Sequence, residues 1–226
     1  GTSSEEFYQI YHKFGYDQAV SRASDSLSYV YRLDEKYWLM MLDSCMCEPV
    51  HETGGKLSEE TVAWMKTQLE EAKKQGVTVI PVSHHNLLDE STLYPEECTI
   101  ENTKEVTALL EAYGVPVYLS GHLHLQRIKK HTSNLNTPGG YGIREIVTSP
   151  LPMAPCQYSI LNWQTDGSLS YHTKKVDIAG WAQRYGEEDE NLLNFDAYAD
   201  QFLVDVISKQ AFKALQSASK DIKEEM

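Results

Sequence analysis

VTVIPVSHHNLL (77–88) and VPVYLSGHLHLQ (115–126) decide the fold. Each begins as an apolar, β-branched run, the pattern of a buried strand, and each runs into a pair of histidines. The segment before the first run has helix signals. Ser58 suits the N-cap, Glu59 and Glu60 suit its positive end, Gly76 stops it, and Val62, Met65, Leu69 and Ala72 recur along one face. Between the two runs a second helix is expected over about 101–113, with Val106, Leu109, Leu110 and Tyr113 on one side and Gly114 after it. Strand, helix, strand, helix, strand is the order of an α/β protein. In such sheets the chemistry gathers at the carboxyl ends of the strands, and both histidine pairs fall there.

The rest of the chain extends this frame. Ser3 and Glu6 form a capping box for a short helix ending before Gly15. SLSYVYRL (26–33) alternates like a half-buried strand, and YWLMMLDS (37–44) is apolar enough for a strand covered on both faces. IREIVTS (143–149) is a further strand, and QYSILNWQ with SLSYHTKKV makes a hairpin around Asp166-Gly167. From about Trp181, Leu192, Phe195, Ala199, Phe202 and Val206 recur at helical spacing, with a polar tail, SASKDIKEEM, expected to fray. The Tyr29/Tyr31 and Phe195/Phe202 sets read as core, and the acidic run at 187–190 as a solvated face or helix start.

With 226 residues, 41% of them hydrophobic, the chain suits one large domain or one domain with a small appendage. A net charge of −13 argues against stable nucleic-acid binding, which needs a basic face, but a short phosphate-bearing substrate is compatible if a metal supplies positive charge. No apolar stretch is long enough to span a membrane. GTSSEE carries no signal-peptide pattern, and its leading Gly reads as a cloning remnant. Cys45, Cys47, Cys98 and Cys156 follow no zinc-ribbon spacing and do not indicate a compartment.

Taken alone, one His-x-His pair in a chain of eight histidines says little. Its context says more. In extended backbone His122 and His124 share a face, Gly121 lets the chain turn and approach a ligand, and His84-His85 ends the neighbouring strand. Imidazoles crowded at one point repel when protonated, and a divalent metal removes that conflict. His12, His51, His131 and His172 have no partners at ligand spacing.

These two stretches resemble the last two blocks of the calcineurin-like metallophosphoesterases, a His-His-Pro type strand end followed by Gly-His-x-His. IREIVTSPLPMAPCQYSILNW resembles the family's next strand. The resemblance covers roughly residues 20–176. It implies an α/β fold, the C-terminal part of a metallophosphoesterase-type αββα sandwich, with residues 1–178 in that domain and 179–226 a helical extension. It also implies metal ligation by His84 and His122 on one ion and by His124 on another. His85 would be second to the ligands or substrate-facing, and a packed, hydrogen-bonded role fits it equally. Asn86 stands where the family has Pro.

The family's earlier blocks, Asp-x-His, Gly-Asp-x-x-Asp and Gly-Asn-His-(Asp/Glu), do not occur here. They carry the remaining ligands and the proton-donating His, so no catalytic residue of that set is expected in this chain. Asp43 reads as structural. The resemblance thus implies the C-terminal segment of a metal-dependent phosphohydrolase acting on a phosphoester with two divalent ions (Mn, Fe or Zn). Alone, this chain would bind one ion or none and be inactive. The alternative is a non-catalytic module that binds a ligand or partner through the same face. Half of a sandwich leaves an apolar sheet face bare, so self-association or cover by the C-terminal helices is expected.

Overall fold

The computed structural model describes residues 2–47, 52–89, 95–131 and 142–224. The chain forms two compact units, Gly1–Thr148 and Ser149–Met226. The first is α/β, as the sequence order requires. Helix α1 (Ser4–Tyr11) precedes strands β1 (Ala19–Arg22), β2 (Tyr29–Arg32) and β3 (Tyr37–Leu42). Then follow α2 (Glu59–Gln75), β4 (Thr78–Ser83), α3 (Pro95–Cys98), α4 (Thr103–Ala112), β5 (Val117–Ser120), β6 (Arg127–Lys130) and β7 (Arg144–Val147). The seven strands make one sheet in the order β1-β2-β3-β4-β5-β7-β6. Its centre, β3-β4-β5-β7, is parallel, while the β1–β2, β2–β3 and β6–β7 pairings at the two sides are antiparallel.

Local chemistry sets the helix bounds. The Ser3–Glu6 capping box closes the start of α1. Ser58 Oγ accepts from Thr61 N at 2.9 Å, and Gly76, at φ 69°, ends α2 in the left-handed conformation that glycine adopts without a Cβ clash. Both crossovers, β3–α2–β4 and β4–α4–β5, bring their helices to one face. Val62, Met65, Leu69 and Ala72 of α2 and Val106 and Leu110 of α4 join Val30, Trp38, Met40 and Tyr118 in a single buried cluster. The expectation that 37–44 is covered equally on both faces is corrected. Trp38, Met40 and Leu42 are buried, whereas Tyr37, Leu39 and Met41 on the other face are only half-buried.

Two edge strands, β1 and β6, were not legible in the sequence. AVSR and RIKK are only four residues each, too short to show a period, and they join the sheet as edge strands. The second unit holds the hairpin of β8 (Gln157–Trp163) and β9 (Leu169–Lys175), closed at Asp166-Gly167 as expected. It continues with helices α5 (Ile178–Tyr185), α6 (Glu190–Leu193) and α7 (Phe195–Glu224). Asp189, in the acidic run, caps α6 through Asn191 N. Two details differ from expectation. Phe202 is 49% exposed rather than core, and α7 continues as far as Glu224, into the segment expected to fray.

Candidate metal centre

Three strand ends meet at one edge of the sheet. β3 leads into Asp43 and Ser44, β4 into His84 and His85, and β5 into Gly121 and His122. Parallel pairing brings the last two side by side, and Gly121 N donates to His84 O at 3.0 Å. The ring nitrogens of His84, His85 and His122 then lie within 4.8 Å of one another. Among the described residues this is the group of three or more metal-ligating side chains that the fold assembles, and it can hold a metal ion.

The three rings are not equivalent. His84 Nε2 and His122 Nδ1 are 2.9 Å apart, so in the metal-free protein one donates a hydrogen bond to the other. Two imidazoles on one tetrahedral ion place their nitrogens about 3.3 Å apart, given metal–nitrogen bonds of about 2.0–2.1 Å. A small opening of this pair would therefore suit one ion. His85 is otherwise engaged. Its Nε2 lies 3.0 Å from Thr53 O, which can only accept, so Nε2 carries the proton. Nδ1 of the neutral ring then accepts from Ser44 Oγ at 2.9 Å, and His85 N reaches the same oxygen at 3.3 Å. For His85 to bind a metal, one of these ring contacts must break.

His124 is exposed and stands outside this group of three. The geometric reason offered by the sequence does not hold: the backbone beyond Ser120 is not extended. His122 and His124 sit at φ 63° and 55°, left-handed positions uncommon for residues with a Cβ. A Cβ at Gly121 would make only ordinary contacts with His84, at 3.8 and 4.0 Å. Gly55 is the glycine that the histidine cluster packs against most closely. A Cβ on Gly55 would lie 2.4 Å from His85 Cγ and 2.5 Å from its Nδ1.

Burial, above all, lowers the pKa of His84, with the neighbouring charges of His85 and His124 adding to it. The same holds for His122, with His85, His84 and His124 contributing in that order. Burial also lowers the pKa of His85, opposed by the Thr53 carbonyl and Asp43. Each ring is thus kept neutral more readily than a free imidazole, the form that binds metals.

Beneath the histidines lies a buried polar layer that the sequence reading did not find. Glu145, fully buried, accepts from Leu87 N at 2.7 Å, Leu88 N at 2.6 Å and Ser120 Oγ at 2.6 Å. Asn86, also fully buried, gives its side-chain Nδ2 to Ser120 Oγ (2.9 Å) and Gly121 O (3.1 Å). Its backbone N donates to Cys98 O at 2.8 Å, a bond that proline could not make. Tyr118 Oη donates to Ser83 Oγ, which donates to His85 O. Asp43 takes backbone N–H groups from Leu27 and Cys45, a structural role. The one available signal was a glutamate within the strand run IREIV, where Ile143, Ile146 and Val147 are buried and Arg144 is exposed. Of the histidines without a role, His12 stacks on Tyr8, His131 lies 3.6 Å from Glu111, and His51 is outside the described residues.

Residues 177–226 match the family described as the C-terminal domain of cyclic nucleotide phosphodiesterase. Among solved structures, the chain is similar to a dimetal phosphatase from Danio rerio, at 15% identity and a TM-score of 0.43, over 57% of this chain and 51% of that one. The chain thus spans about half the length of that structure. No curated protein matches the chain.

Proposed function

We propose that this chain contributes to a metal-dependent phosphohydrolase that cleaves a phosphodiester of the cyclic-nucleotide class. The observation that carries the reading is the His84–His122 nitrogen pair, 2.9 Å apart at the carboxyl ends of adjacent parallel strands. His84 and His122 would hold one ion, and His124 would be a ligand of a second. His85 orients its neighbours from behind, held by Ser44 and Thr53. When bound, divalent ions polarise a phosphoryl oxygen and supply a nucleophile near neutral pH by acidifying bound water. Neutral imidazoles at His84 and His122 keep lone pairs available for a metal. The described cluster contains no carboxylate, so the remaining ligands come from outside it. The family matched by residues 177–226 supports the cyclic-nucleotide class.

The test is hydrolysis of a generic aryl phosphodiester and of cyclic nucleotides, with Mn²⁺, by protein made from its complete reading frame. Turnover there, absent from this 226-residue chain alone and lost on His122→Ala, supports the reading. Turnover unchanged by His122→Ala refutes it. An upstream frame containing Gly-Asn-His favours the enzyme over a non-catalytic binding module. Light scattering tests whether the chain alone self-associates through its half-buried sheet face, as Leu39 and Met41 suggest.

A further inference from the structure

We propose that Glu145 is the positioning residue of the histidine pair. The two histidines ride on different loops, one after β4 and one after β5, and no secondary structure fixes either ring. Glu145 enters from a third strand, β7, beside Tyr118 of β5. Its Oε2 accepts from Leu88 N, and its Oε1 accepts from both Leu87 N and Ser120 Oγ. One carboxylate therefore ties the loop carrying His84 to the residue two before His122.

Asn86 adds the second tie, from its side chain to Ser120 Oγ and Gly121 O. A buried carboxylate is costly unless its oxygens are fully used, and here three donors reach it. Two of those donors lie in the loop after β4 and the third, Ser120, ends β5, the two segments that must stay in register for His84 Nε2 and His122 Nδ1 to stand 2.9 Å apart. A hydrophobic residue of similar volume would fill the core equally well but could not orient three N–H and O–H groups. A carboxyl group at this depth, with both oxygens accepting, fits a positional task. Glu145 does not touch the imidazoles and is not a catalytic residue. Its importance to catalysis rests on the phosphohydrolase reading, whereas its hold on the pair does not.

The test uses this chain with chelator present, in mildly alkaline buffer, observed by long-range ¹⁵N–¹H imidazole spectra. In the wild type, His84 and His122 should show fixed, complementary tautomers, with one nitrogen of the facing pair protonated and the other bare. Glu145→Gln replaces one acceptor oxygen with a donor facing N–H or O–H groups, and should abolish that fixed pattern while the His85 signals persist. Ser120→Ala removes the tie from Glu145 to β5 together with the Asn86 Nδ2 bond to the same hydroxyl, and should also mix the tautomers; it decides the matter if Glu145→Gln does not fold. A wild type without the fixed pattern, or a folded variant that keeps it, overturns the proposal. Because no metal or substrate is involved, these outcomes are independent of whether the protein hydrolyses a phosphoester.

Discussion

Gly55→Ala should be among the most disruptive single-methyl additions in the first unit. The new Cβ would meet His85 at 2.4 Å from Cγ, 2.5 Å from Nδ1 and 2.8 Å from Cβ, all far inside van der Waals contact. The ring cannot simply move aside. His85 is 3% exposed and is held by Ser44 Oγ and Thr53 O. Gly55 is itself bridged to Cys45 and Ile100. Overpacking costs about 1–3 kcal/mol, and breaking a neutral hydrogen bond adds about 0.5–1.5 kcal/mol. Lower unfolded-state entropy returns about 0.4–1 kcal/mol. The net expectation is a loss of about 0.5–4 kcal/mol, centred on about 2 kcal/mol, and that central figure corresponds to roughly 4–8 °C in Tm for a unit of this size. Urea denaturation gives the free energy, and imidazole spectra show whether His85 moves. Gly121→Ala, which meets only ordinary contacts, should stay within about 0.5 kcal/mol. A Gly55→Ala protein as stable as wild type, with His85 signals unchanged, would refute the reasoning.

Asn86→Pro should destabilise the protein by about 3 kcal/mol or more, because it removes the N–H to Cys98 O and the amide ties to Ser120 and Gly121; chemical denaturation checks it, and a neutral result would mean the loop is held otherwise. Ser44→Ala removes the acceptor-side partner of His85 and should cost about 1–3 kcal/mol, measured the same way. The pKa values of His84, His85 and His122 are all lowered from 6.5, so the unfolded chain binds more protons below that pH. Their contribution to stability is held above about pH 6.5 and lost as the pH falls through the lowered values. Thermal melts in chelator should show this loss, and it should flatten in a His84→Asn/His122→Asn variant; an equal slope in both would contradict it.

The frame was legible because it rests on local periodicity. Met65, Leu69 and Ala72 mark a helix face, and VTVIPVS marks a buried strand, without knowledge of any distant residue. The meeting of His84 with His122 followed from strand order alone. What could not be read depends on tertiary contacts. Ser44 meets His85 across 41 residues, and Glu145 meets Leu87 across 58. The left-handed turns at His122 and His124 carry no glycine to announce them, so the extended-strand argument misplaced their side chains. The edge strands β1 and β6 had too few residues to show a period.

The central claim is that His84 and His122 hold a divalent ion. It is tested most directly by metal content per chain, measured on protein purified from its complete reading frame with and without His84→Ala/His122→Ala. The account predicts bound metal in the wild type and loss of at least one ion per chain in the variant, with the fold retained. Equal metal content in a folded variant would contradict it.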